Sequence, residues 1–148
     1  MPMEELLTRQ VPQSLEAEQS VLGSMLIDER CIKDVMDKLQ PDDFYLRQNR
    51  EIFDTIYSMF VYSKPIDGIT VCEEMQKNGT YDEQTTRSYL AQLMEITPTS
   101  ANVMEYVEIV RDKSLMRRMA QAAAEITAMV QEGVGEASEI LEAAEQKV

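Results

Sequence analysis

The 148-residue chain contains no histidine. That absence removes imidazole general bases, histidine zinc ligands and the Ser-His form of nucleophilic catalysis together. No apolar run is long enough to span a membrane, and no basic-then-apolar signal segment opens the chain. Basic residues are scarce: 14 Lys and Arg stand against 27 Asp and Glu, for a formal net charge of −13. A chain this acidic repels phosphate backbones overall and is a poor autonomous nucleic-acid binder. Only two cysteines occur, Cys31 and Cys72, and they lack metal-ligand spacing. Without a secretion signal they read as reduced core residues of a cytoplasmic protein. No Walker A sequence is present. The nearest run, Gly133-Val134-Gly135-Glu136-Ala137-Ser138, lacks the lysine and follows a helical pattern, so it reads as a turn. Any chemistry would have to run on carboxylates.

What remains is ordinary for a soluble domain: 44% hydrophobic and 28% charged residues. Apolar periodicity is helical almost throughout, and no segment alternates long enough to suggest a strand. The fold class is therefore all-α, a small helical bundle over residues 1–98 followed by a long helix and protruding hairpin over 99–148. In the bundle, Ser14 is placed to cap a first helix whose apolar face is Ala17, Val21, Leu22, Met25 and Leu26. Asp28 can cap a second helix with Ile32, Val35, Met36 and Leu39 inward, ended by Pro41-Asp42-Asp43. A third carries Ile52, Phe53, Ile56, Tyr57 and Phe60. Thr70 and Glu73 fit a capping box for a fourth, which stops at Asn78-Gly79. A fifth runs from about Glu83 to Ile96.

After Pro98 the pattern changes. Thr99 or Ser100 opens a helix of about thirty residues, long for a globular protein. Val103, Tyr106, Val107 and Val110 lie on one side of it, and Leu115, Met119, Ala122, Ile126, Met129 and Val130 on another. One straight helix with two apolar faces needs two partners. A tight Gly133–Gly135 turn then leads into a last helix with an Ala137, Ile140, Leu141, Ala144 and Val148 stripe. Such a hairpin buries little alone, so self-association is the natural cover for its apolar surface. The stripe still runs at Val148, which reads as a fragment of a longer chain.

Four features invite a chemical reading. Glu18 falls in the middle of the first helix's apolar face, where a carboxylate is costly unless paired or hydrogen-bonded. A structural role, with Arg47 or Arg50 or a backbone amide as partner, outweighs a catalytic acid. Arg111, Lys113, Arg117 and Arg118 form the densest basic cluster, which fits a solvated face or an ion-paired subunit interface better than a nucleic-acid contact. Glu105-x-x-Glu108 and Glu136-x-x-Glu139-x-x-Glu142 have the spacing of Mg²⁺-binding glutamate pairs in all-α nucleotide pyrophosphohydrolases. That is the alternative function, and the third evenly spaced glutamate favours a wet helix surface over it. Met116, Met119 and Met129 form either an adaptable binding face or ordinary core.

The run Pro12-Gln13-Ser14-Leu15-Glu16-Ala17-Glu18-Gln19-Ser20-Val21-Leu22-Gly23 resembles the opening "P-x-S-x-E-A-E-Q-x-V-L-G" of the N-terminal domains of bacterial replicative DNA helicases of the DnaB family. The likeness continues in order through Pro41-Asp42-Asp43-Phe44-Tyr45, Arg50-Glu51-Ile52-Phe53 and Pro65-Ile66-Asp67-Gly68-Ile69-Thr70-Val71. It goes on through Ser88-Tyr89-Leu90, Thr97 to Val103, Tyr106 to Lys113, and Ala144-Glu145, covering roughly residues 9–148. Asn49 departs from the family's usual histidine, which alters a local hydrogen bond and leaves the fold intact.

The resemblance implies an assembly and primase-docking domain of a hexameric, ATP-driven replicative helicase. It implies no catalytic, cofactor-binding or metal residues in this stretch; the parent's ATP and Mg²⁺, and its contact with DNA, belong to a motor domain beyond it. The implied partners are a second copy, rising to a trimer of dimers in the ring, and primase, with no membrane. By analogy, Tyr89, Ala120 and Ile126, with Arg117 and Met119 beside them, are the primase-docking candidates. Leu115, Met119, Ala122, Ile140, Leu141 and Ala144 are the self-association candidates. A phage- or plasmid-encoded relative, or a free-standing decoy that titrates primase, fits the same residues.

Overall fold

The structure, a computed structural model, describes residues 11–133 and 135–147. Seven α-helices, two short 3-10 turns and no strand occur among them: α1 (Leu15–Ile27), α2 (Ile32–Met36), α3 (Arg47–Val61), α4 (Gly68–Asn78), α5 (Thr86–Glu95), α6 (Val103–Glu132) and α7 (Ala137–Lys147). The 3-10 turns are Glu29–Cys31 and Pro41–Asp43. The all-α reading holds. The chain divides into two units. One is residues 13–114; the other, in its described part, is residues 11–12 with 115–133 and 135–147.

In the first unit, α1 is the central helix. Ser14 caps it, its hydroxyl accepting from the Ala17 amide at 3.2 Å. All five residues of its expected apolar face are buried. It packs on α5 and α3, and α4 packs on both of those. The chain approaches closely at Gly23. A Cβ there would collide with the Thr97 side chain and stand 2.5 Å from the Leu93 carbonyl oxygen. Only a residue without a side chain lets α1 and the end of α5 meet this closely. Ile32, Val35, Leu39, Ile52, Ile56 and Leu90 complete a core in which the Phe44 and Phe53 rings lie 4.8 Å apart. Each such fully buried side chain contributes on the order of 2 kcal/mol relative to exposure.

Helix starts are where sequence and structure differ. Asp28 caps the 3-10 turn first, accepting from the Arg30 amide at 3.1 Å, and α2 follows it. The capping box of α4 is not Thr70–Glu73. Asp67, in extended conformation, accepts from the Thr70 amide, and the Thr70 hydroxyl accepts from the Asp67 amide, both at 2.9 Å. The box therefore sits three residues earlier, with Thr70 as its second member, because an aspartate is available there to act as the stronger cap. Gly79 ends α4 in the left-handed region at φ 80°. α5 starts at Thr86 because the Asp82 carboxylate takes the Gln84 amide and its own amide donates to the Thr86 hydroxyl, which holds a turn open. α6 starts at Val103 because Ser100 and Thr99 are engaged in the preceding loop, with the Ser100 hydroxyl donating to Asp28 Oδ2 at 2.7 Å. Val103, Val107 and Val110 of α6 are buried in this unit, and Ser114 donates to the buried Asp43 carboxylate at 2.7 Å.

In the second unit, α6 continues from Leu115 and α7 returns after the turn. Gly133 and Gly135 adopt φ of 61° and 87°, conformations that favour glycine. Lys147 pairs with Glu125 at 2.8 Å, tying the end of α7 to the middle of α6. Val134 and Val148, which entered the expected turn and stripe, lie outside the described residues.

Candidate functional site

Glu18 is 1% exposed, so its carboxylate must be matched by donors. The backbone amides of Tyr45 and Leu46 donate to it at 2.7 and 3.4 Å, and Asn49 Nδ2 donates to its Oε1 at 2.9 Å. These groups open α3, so an anion from α1 caps the positive end of a neighbouring helix that has no side-chain cap of its own. Of the two partners expected for Glu18, the backbone amide is the one found. Arg47 instead bonds Glu51 at 2.9 Å, and Arg50 Nη1 donates to the carbonyls of Phe44 and Tyr45 at 3.1 and 2.7 Å. Both arginines follow the local chain, which leaves the carboxylate to the amides above it.

The network extends to Tyr89 on α5. Its hydroxyl donates to Asn49 Oδ1 at 2.6 Å and accepts from Gln19 Nε2 at 3.4 Å. Burial holds the phenol above its usual range, partly opposed by the Gln19 and Asn49 hydrogen bonds. Gln19 and Asn49 were not among the expected site residues. The signal for Asn49 was present: it precedes Ile52, Phe53 and Ile56 at helical spacing, a polar residue on an apolar stripe as Glu18 is on α1.

The hairpin carries most of the other candidates. Leu115, Met119, Ala122 and Ile126 line one groove of about 380 Å³ with Arg118 and Lys147. Leu115 and Met119 are more than half exposed, Ala122 is buried and Ile126 half-buried. On α7, Ile140 and Ala144 are half-buried and Leu141 is 61% exposed, outside that groove's lining. Ala120 is exposed on α6. The Arg117 guanidinium donates to the Pro12 carbonyl at 2.8 Å. Tyr89 lies in the first unit. Met116 is exposed and Met129 half-buried, so these methionines are surface more than core. Arg111 and Lys113 fall in the first unit, Arg117 and Arg118 in the second.

The glutamate-pair alternative finds no constellation. Among the described residues, no group of three or more His, Cys, Asp or Glu side chains is placed to hold a metal ion. No helix of the described residues is long and apolar enough to cross a membrane.

Residues 10–112 match the family model described as "DnaB-like helicase N terminal domain". The chain is 34% identical over 140 residues to a replicative DNA helicase DnaB of Leifsonia xyli, covering 95% of this chain and 31% of that protein. It spans a third or less of the length of the curated relatives it matches. The crystal structure of the N-terminal domain of DnaB helicase from Mycobacterium tuberculosis superposes with a TM-score of 0.88 at 34% identity, over 93% of this chain and 97% of that one. The N-terminal domain of DnaB helicase from Helicobacter pylori, described with its interactions with primase, shares the fold at a TM-score of 0.68 and 24% identity, over 78% of this chain and 89% of that one.

Proposed function

The chain belongs to the family of DnaB-like helicase N-terminal domains, and from that premise we propose that it is the assembly and primase-docking part of a hexameric replicative DNA helicase, acting in the cytoplasm without catalysis of its own. One observation carries this reading. The hairpin leaves Leu115, Met116, Met119, Val130 and Leu141 exposed, and among its described residues from 115 onward only Ala122 is buried. Covering such side chains on association contributes on the order of 1–2 kcal/mol each, enough in sum to hold subunits together. Self-association therefore uses Leu115, Met119, Ala122, Ile140, Leu141 and Ala144. The arrangement is a dimer, and a trimer of dimers within the ring.

Primase contacts are assigned to Arg117, Met119, Ala120 and Ile126 of the second unit and, separately, to Tyr89 of the first. In the whole helicase, we assign ATP, Mg²⁺ and DNA to an ATPase motor domain. The network from Glu18 through Asn49 serves docking indirectly, by fixing the Tyr89 hydroxyl. Calorimetric titration of a bacterial primase into the chain tests the docking role. Saturable binding that weakens about tenfold or more in Ile126→Asp supports it. Absence of heat, or equal affinity in the folded variant, refutes it.

A further inference from the structure

A second concave surface lies wholly within the first unit. A cavity of about 750 Å³ opens between α4 and α5. Ile69 and Cys72 from α4 and Leu90, Ala91 and Met94 from α5 form its apolar walls. The lining recurs every three or four residues on both helices, so the groove follows two helix faces that run antiparallel. Gly68 meets Met94, and one turn on Cys72 senses the Arg87 charge.

Three features of this groove suit it to an apolar occupant. A Cβ on Gly68 would stand 2.8 Å from the Met94 methyl, so the thioether fills space that the missing side chain leaves. That flexible group can swing aside and adapt to an occupant. Ile69 is 74% exposed on the lip, where an unpartnered isoleucine gains from contact. The rim carries two carboxylates, Asp67 and Glu73, against one guanidinium, Arg87, on a chain of net charge −13. From Gly68 to Gln76 the α4 wall runs about 12 Å, room for two turns of a helix and its i, i+3/i+4, i+7 anchors.

We propose that the α4–α5 groove docks an amphipathic helix of a partner protein, with bulky apolar side chains on the floor and lysine or arginine toward Asp67 and Glu73. A second copy of this chain is the poorer occupant of this groove, because a sequence with 27 acidic against 14 basic residues is short of the cationic helix face that Asp67 and Glu73 favour.

The test uses the whole chain, ¹⁵N-labelled, and two synthetic helical peptides. Both carry leucine at i, i+3, i+4 and i+7; one has a lysine polar face and the other a glutamate one. The lysine peptide should give saturable amide shifts confined to residues 67–76 and 87–94, weakening with salt. Glu73→Lys should weaken binding roughly tenfold and Arg87→Glu should tighten it severalfold. Ile69→Ser should weaken it without loss of fold, since Ile69 is exposed. The proposal is overturned by shifts centred on α6 and α7, by equal binding of the glutamate peptide, or by indifference to both charge reversals. No saturable binding, or self-association that disappears in Ile69→Ser, overturns it too.

Discussion

Asn49 Nδ2 donates to Glu18 Oε1 at 2.9 Å, joining two helices through polar groups that are both buried. The same carboxylate holds the two amides that open α3. Removing it strands those donors in a dry interior, and charged hydrogen bonds of this kind contribute about 1.5–3 kcal/mol each. Glu18→Ala should therefore lower unfolding stability by about 3 kcal/mol, read from urea titration. A variant as stable as the parent contradicts the structural role.

Gly23→Ala should destabilise, although alanine ordinarily favours a helix by about 1 kcal/mol over glycine. The added methyl meets the Leu93 carbonyl and Thr97, and backbone cannot yield as a flexible side chain can. The expected cost is about 2–3 kcal/mol by thermal unfolding. A gain in melting temperature would show that α1 and α5 can separate there without penalty.

The two polar residues on apolar stripes show how much was legible. The first helix, its cap and its buried face follow from spacing alone, because α1 is sealed on several sides and each residue's environment repeats with the helical period. Glu18 announced itself as out of place. Its partner did not, because partnership spans 31 residues of sequence and a loop places the Tyr45 and Leu46 amides beneath it. Helix starts slipped by two or three residues wherever a loop carried competing caps. Asp67 took the role assigned to Thr70, and Asp82 and Ser100 held turns that periodicity alone extends as helix. The tight contact at Gly23 has no sequence signature, since a glycine inside a helix looks only unfavourable.

The Ser100 and Arg30 hydrogen bonds to Asp28 hold its carboxyl below the ordinary aspartate range. A carboxyl depressed in the folded state adds stability above its unfolded value, about pH 4, and loses it as the pH falls through the folded value. Ser100→Ala should lower stability near pH 7 and converge on the parent as the pH falls below 4, so its acid limb is flatter. Fluorescence-detected urea curves across pH 2–7 check it; an unchanged slope below pH 4 counts against the Asp28 link.

Burial, with the Asp28 charge nearby, pushes the Cys31 thiol up to about 11, and its Sγ donates to the Ser24 carbonyl at 3.5 Å. Little thiolate exists at neutral pH, so alkylation by iodoacetamide at pH 7.5 should be slower than in urea by about a hundredfold. Equal rates would mean that the α1–α2 junction leaves the sulfur open.

Subunit assembly is the proposed work of the hairpin. Light scattering on the 148-residue chain across micromolar to millimolar concentrations tests it most directly. Hairpin-driven assembly gives a mass of two or more chains, falling to one in Leu141→Glu, whose site is exposed and tolerates charge in the folded monomer. A single-chain mass for the parent throughout that range would contradict it.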